Sequence, residues 1–139
     1  MSKKAMYIPV NSRAASFYKQ VDSEVRVDGA SPHELIQMLF DELLATLMKA
    51  RGAMRRGDTG AKGHQIGRAI RILSEGLKAG LNPEQGGELA ENLSNLYDYC
   101  SLRLAVANAR NDEGILLEVV NLIEPIAQSW KQIKTNAHV

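Results

Sequence analysis

The chain has 139 residues, a formal net charge of +1 at neutral pH and 45% hydrophobic residues, few of them aromatic. This length fits one domain, and the apolar content is that of a globular rather than a disordered chain. The near-zero net charge creates no field that attracts nucleic acid or membranes, the single cysteine excludes an internal disulfide, and no run approaches the roughly 20 apolar residues of a membrane helix.

The first half of the sequence predicts two helices. Residues 1–12 lack helical periodicity and contain Pro9, so we interpret them as a mobile N-terminal segment. Apolar residues at three- and four-residue steps predict a first helix over about 12–25. Ser31 and Glu34 have the spacing of a capping box, which predicts the start of a second helix that ends near residue 56, before Gly57.

The second half predicts three more helices, over about 61–80, from 85–88 to 109, and over 113–133. Pro125 lies inside the last of these and predicts a kink or a break there, because proline removes one helical hydrogen bond. No sustained two-residue alternation indicates a strand.

Long amphipathic helices joined by short connections predict an all-α fold, an antiparallel four-helix bundle with an additional short N-terminal helix. The bundle domain is expected to span 13–134, with a tail at 135–139.

The sequence contains no recognisable catalytic or metal-binding pattern. None of the three histidines has a histidine or cysteine partner at metal-ligand spacing, and no nucleotide-binding motif is present. Cys100 lies on an apolar stripe, which favours a buried, inert thiol over a nucleophile. We therefore expect no enzyme activity, no metal and no cofactor.

The second predicted helix has more apolar surface than one interface needs. Two adjacent rows each repeat every four residues, and a helix facing a single core needs a stripe only somewhat wider than about 100°. Either the helix is central and packs on both sides, or one row partly lines a surface groove for an apolar helix. The two rows comprise Leu35, Ile36, Leu39, Phe40, Leu43, Leu44, Leu47 and Met48.

Glycines recur at four-residue spacing in the third predicted helix, as Gly63 and Gly67 and again as Gly76 and Gly80. Each interior glycine costs a helix about 1 kcal/mol relative to alanine, which predicts close approach of another backbone. That neighbour is either another helix of the bundle or a bound partner segment, and Gly80 also fits a C-terminal stop. Trp130 leaves a similar choice between a core anchor and an interface residue.

Charge is unevenly distributed, with mainly basic residues over 49–78 and mainly acidic residues over 82–128. The favoured interpretation is two faces of opposite sign that pair within the bundle. The alternative is a nucleic-acid-binding patch formed by Arg51, Arg55, Arg56, Lys62 and Arg68.

A series of segments follows in a characteristic order and spacing over roughly residues 14–134. The segments are Phe17-Tyr18-Lys19-Gln20-Val21, Ala30 to Asp41, Gly57-Asp58, Ala61-Lys62-Gly63, Ala69 to Leu73, Gly76 to Asn82, Gly86 to Leu89, Asn92 to Tyr99, Arg103-Leu104, Ala107-Asn108 and Trp130 to Ile133. The whole series resembles the flagellar secretion chaperone family FliS. Glu42 departs from the glycine that the family often has after the Leu-Phe/Tyr-Asp of the second helix.

The resemblance implies a cytoplasmic export chaperone that binds the disordered C-terminal segment of flagellin, prevents premature polymerisation and assists delivery to the flagellar type III export apparatus. Export-gate components or a co-chaperone are further candidate partners, and we expect a monomer or weak homodimer with no nucleic acid and no stable membrane insertion. The alternative is a helical adaptor for a different client.

The candidate client groove lies between the second and third predicted helices, with two further residues on the fourth. The resemblance also implies that an N-terminal tyrosine segment caps part of this site, unless Tyr7 and Ile8 belong to a disordered tail. Asn108 is a candidate either for bonding the client backbone or for cross-linking the bundle. The candidate partner-binding residues are Tyr7, Ile8, Ile36, Phe40, Leu43, Ile70, Leu73, Leu77, Tyr97 and Asn108.

Overall fold

The computed structural model describes residues 29–133, which form helices and, within this range, no strand. The helices are α1 (Pro32–Arg56), α2 (Thr59–Arg71, continued by a π-helical segment Ile72–Lys78), α3 (Pro83–Arg110) and α4 (Glu113–Ile133). The all-α prediction is thereby confirmed. The predicted N-terminal segment 1–12, the predicted helix 12–25 and the tail 135–139 lie outside the described residues.

Local capping chemistry sets both ends of α1. The Ser31 hydroxyl accepts from the Glu34 N–H at 3.1 Å, and the Glu34 carboxylate accepts from the Ser31 N–H at 2.9 Å. Gly57 ends the helix with a φ of 72°, a left-handed conformation that glycine adopts without steric cost. The predicted capping box and the predicted end near residue 56 are both confirmed.

The third helix starts in two steps. The Asn82 side chain accepts from the Glu84 and Gln85 N–H groups and caps a first turn. Gly87 then interrupts the helix with φ 54° and ψ −130°, a backbone region essentially restricted to glycine. The sequence placed the start at 85–88, within this irregular stretch.

The π-helical segment of α2 is a feature that the sequence did not indicate. The wider turn changes the backbone hydrogen-bond pattern, and the Ser74 hydroxyl donates to the Ile70 carbonyl at 3.0 Å. The helix ends where the Gly80 N–H donates to the Gly76 carbonyl, which agrees with Gly80 acting as a C-terminal stop.

Contacts between helix ends establish that neighbouring helices are antiparallel. The start of α1 meets the end of α4 through His33 and Trp130, while Arg51 near the end of α1 meets Glu113 at the start of α4. In the same way, Lys62 at the start of α2 bonds the Asn108 carbonyl near the end of α3. The predicted antiparallel bundle is therefore the observed arrangement of the four described helices.

Pro125 does not break α4, which runs without interruption to Ile133. Both Pro125 and Asn121, whose carbonyl loses its usual helical donor, are exposed. Water can therefore bond that carbonyl, and the helix continues through the proline. The predicted break is wrong, and the alternative of a kink stays a prediction.

Candidate interaction surface

Most of the predicted groove residues form the core of the bundle. Ile36, the most exposed of the six, has only 5% of its surface accessible, and Phe40 has 1%. These residues belong to one continuous hydrophobic cluster, so they line no open groove in this structure. The six are Ile36, Phe40, Leu43, Leu73, Leu77 and Tyr97.

The other predicted residues have different environments. Ile70 packs against the core but stays partly exposed, and Asn108 is also partly exposed. The Asn108 backbone carbonyl accepts from Lys62, whereas its side chain has no hydrogen bond among the described contacts. Tyr7 and Ile8 lie outside the described residues.

The two apolar rows of α1 divide unequally between core and surface. Most of their members are buried, which agrees with a central helix that packs on both sides. The exceptions are Leu35 and Leu44, which are partly buried, and Met48, which is 42% exposed. Met48 is the most accessible of the eight residues.

Residues of α4 extend this exposed edge. The pairs Arg51–Glu113 and His33–Trp130 fix the antiparallel register of α1 and α4. From this register and helical periodicity we infer that Leu117 and Val120, both partly buried, lie beside Leu44 and Met48. We call Leu44, Met48, Leu117 and Val120 the α1–α4 apolar row.

A shallow pocket of about 430 Å³ opens between α1 and α2. The sequence predicted a groove between these two helices, but the residues that line the pocket are not the predicted ones. The lining, which we call the α1–α2 pocket, consists of Met48, Lys49, Gly52, Arg56, Ala61 and Gln65.

Most of the basic residues considered for a nucleic-acid patch are engaged inside the bundle. Glu113 accepts from Arg51 and from Arg55, the latter at 2.8 Å, and Arg68 pairs with Glu42, the residue that departs from the family pattern. The predicted pairing of the basic stretch with the acidic stretch is confirmed for Arg51 and Arg55, because Glu113 lies in the acidic stretch, whereas Glu42 lies outside it.

Lys62, the fourth of these basic residues, is buried. Its ammonium group donates to the Asn108 carbonyl at 3.0 Å and to the Asn111 side chain at 3.1 Å. It therefore bonds a carbonyl at the end of α3, where a positive charge is favourable.

These ion pairs shift the pKa values of the acidic partners. Hydrogen bonds from Arg55 and then Arg51 lower the pKa of Glu113. Hydrogen bonds from Tyr99 and Arg103 lower the pKa of Glu118 in the same way. Both carboxylates are therefore held in the charged form and link α4 to its two neighbours.

Gly63 and Gly67 of α2 do not mark a close approach of another bundle helix. A Cβ atom built on Gly63 or Gly67 meets no atom of the described residues within 4 Å, and Gly67 is exposed. For these two positions a neighbouring bundle helix is the wrong explanation. Contact with a bound partner segment remains a prediction.

Trp130 anchors the end of α4 to the start of α1. Its ring stacks on His33 with centroids 4.5 Å apart and an angle of 6° between planes. The indole N–H donates to the His33 carbonyl at 3.0 Å, and His33 Nε2 donates to the Trp130 carbonyl at 2.7 Å. The first of the two interpretations of Trp130 is therefore the observed one.

Cys100 has the properties expected of an inert thiol. It is fully buried, and burial raises its pKa to about 11, so the reactive thiolate is scarce at neutral pH. Among residues 29–133 no cluster of histidine, cysteine or acidic side chains has the geometry for a metal ion. Within the same range no helix is both long and apolar enough to span a bilayer.

Three exposed apolar residues on α3 were missed as surface candidates. Leu102 is 64% exposed, Leu89 51% and Tyr99 43%. Leu89 follows the Gly87 interruption near the start of α3.

Comparison with known proteins identifies the family. A family model described as "Flagellar protein FliS" matches residues 14–137. The flagellar secretion chaperone FliS of Salmonella typhimurium is 51% identical over 120 residues, covering 86% of this chain and 89% of that protein. FliSB of Pseudomonas aeruginosa is 45% identical over 121 residues, with 87% and 95% covered, and FliS of Vibrio cholerae is 35% identical over 121 residues, with 87% and 88% covered. The chain belongs to the FliS family of flagellar secretion chaperones, a family of chaperones and not of enzymes.

Proposed function

We propose that this protein is a cytoplasmic chaperone for flagellin. It binds the disordered C-terminal segment of flagellin, prevents premature polymerisation and assists delivery to the flagellar type III export apparatus. Family membership supports an export chaperone role, and the surface of the bundle supports binding of an apolar segment.

The observation that carries the binding proposal is the exposure of Met48 at the edge of the α1–α4 apolar row. An amphipathic helix laid along this row buries apolar surface of both chains, which is a common mode of helix recognition. Flagellin segments that assemble through their own apolar stripes cannot do so while a chaperone covers them.

The buried candidates need a second step to reach the client. Phe40 and Leu43 contact a client only if it displaces a covering part of the chaperone, whereas Ile70 and Asn108 are already partly accessible. We therefore propose first contact at the α1–α4 apolar row. Contact with the buried residues, and capping by Tyr7 and Ile8, remain predictions.

The test is calorimetry with a peptide from the C-terminus of flagellin of the same organism. We expect Met48→Asp to weaken binding at least tenfold, because it places a charge in an apolar contact. Ala45→Asp is the matched control, since Ala45 is an exposed residue of the same helix outside the row. Equal affinities of the two variants, with both proteins folded, would remove the row from the client site.

The alternative is a helical adaptor for a different client. The same apolar row would bind an apolar segment of that client equally well. Affinity purification of the intact protein from flagellated cells separates the two. Recovery of flagellin supports the proposed function, and recovery of another partner without flagellin contradicts it. The same experiment tests export-gate components or a co-chaperone as further partners, and sedimentation analysis tests the expected monomer or weak homodimer.

A further inference from the structure

We propose that the α1–α2 pocket recognises an acidic residue of the client, placed within one helical turn of an apolar anchor. This inference rests on the proposed function, because it assigns a sequence preference to the same chaperone–client contact. The occupant is thus a segment of the client with an Asp or Glu three or four residues from an apolar side chain.

The pocket has room for an apolar anchor. Met48 and Ala61 form apolar walls, and Met48 also belongs to the α1–α4 apolar row, so the two surfaces are continuous. Gly52 lies between them, and the space that a side chain would take there holds the Arg56 guanidinium group. A flexible methionine wall adapts well to different apolar side chains.

The positive charge around the pocket favours an acidic residue of the client next to that apolar anchor. Lys49 and Arg56 both line the pocket and are exposed, and neither forms an ion pair with another described residue. A Cβ built on Gly52 would lie 3.2 Å from Arg56 Nη1, so the guanidinium group folds back over the glycine into the pocket. The two unpaired cations therefore flank the apolar walls.

One polar atom of the lining has no partner. Gln65 Oε1 is shielded from solvent and accepts no hydrogen bond from any residue that the structure describes. A carbonyl oxygen only accepts hydrogen bonds, so it does not attract a carboxylate, and the acidic preference rests on the two cations. Apolar walls flanked by two unpaired cations favour a helical turn that carries an acidic side chain over a wholly apolar one.

The test compares two peptides and three proteins by calorimetry. The peptides are the C-terminal flagellin segment and the same segment with every Asp and Glu changed to Asn and Gln. The proteins are the wild type, the double variant Lys49→Gln/Arg56→Gln, and the control Arg110→Gln/Lys131→Gln, which removes two exposed charges elsewhere.

We expect the pocket variant to bind the native peptide about fivefold more weakly at 0.15 M salt, the size expected for two exposed ion pairs. The neutral peptide should bind the wild type and the pocket variant equally, and the difference seen with the native peptide should vanish at 1 M salt, where the Debye length is about 3 Å. If the native peptide binds the pocket variant as tightly as it binds the wild type and the control, the acidic preference is wrong while flagellin binding stands. If the wild type binds neither peptide, the proposed function fails and the inference with it.

Discussion

Substitution of Trp130 tests whether the contact with His33 holds α4 against α1. Trp130→Ala removes a stacked ring pair and the indole hydrogen bond to the His33 carbonyl. Stacking contributes about 1 kcal/mol and the hydrogen bond about 1 kcal/mol. Because Trp130 is only partly buried, we add about 1 kcal/mol for lost burial, less than for a core residue. The free energy of unfolding should thus fall by about 3 kcal/mol. Trp130→Phe keeps an aromatic ring and should cost only about 1 kcal/mol.

Urea unfolding followed by far-ultraviolet circular dichroism measures these differences. Gln128→Ala, at an exposed position of the same helix, is the control and should change stability little. A double-mutant cycle with His33→Ala isolates the coupling, which should be at least about 1 kcal/mol. A Trp130→Ala protein as stable as the control, or a coupling near zero, would refute the anchoring role.

Three further predictions concern other contacts of the bundle. Lys62→Met should lower the free energy of unfolding by about 1–3 kcal/mol in urea titrations, because the end of α3 loses its buried donor. Gly67→Ala should raise the free energy of unfolding by about 1 kcal/mol, because alanine favours the helix and a Cβ has space there. Gly57→Ala should lower the free energy of unfolding, because Gly57 has a φ of 72°. A destabilised Gly67→Ala protein would contradict the first expectation and indicate a close neighbour at that position. Glu113→Gln should destabilise the protein near neutral pH. The folded-state pKa of Glu113 is lowered, so its stabilising effect is present above the ordinary value of 4.5 and is lost as pH falls through the lowered value. Unfolding measured from pH 7 to pH 3 should therefore show the two proteins converging below about pH 4.5, and a constant difference would contradict this.

Helix ends were predictable because their determinants are local in sequence. The capping box at Ser31 and the left-handed Gly57 act within one turn of the residues they cap. Sequence spacing alone therefore placed both ends of α1, and it also placed the start of α4 at residue 113. The π-helical segment Ile72–Lys78 was not predictable, since it depends on how α2 packs on its neighbours and leaves no periodic signal.

The candidate surface was predicted less well because burial is decided by tertiary packing. Phe40 and Met48 belong to neighbouring rows of one helix, and periodicity gives no means of ranking them for exposure. The rotation of α1 about its own axis, set by its packing on α2 and α4, buries Phe40 and leaves Met48 at the outer edge. The sequence predicted that basic and acidic residues pair within the bundle. It did not predict that Lys49 and Arg56 stay outside these ion pairs.

The amount of exposed apolar surface constrains how a client can bind. Complete burial of a methionine or leucine side chain contributes about 1.5–3 kcal/mol, so covering Met48, Leu89, Tyr99 and Leu102, which are 42–64% exposed, yields on the order of 1 kcal/mol each. Their sum is about half of the 8 kcal/mol that micromolar binding requires, before the entropy of ordering a disordered client. Met48 lies on α1 and the other three on α3, and these helices occupy opposite corners of the bundle because each packs on both α2 and α4. One short helix cannot contact both corners. Useful affinity therefore requires a segment long enough to wrap around the bundle, or one that also uncovers residues now buried.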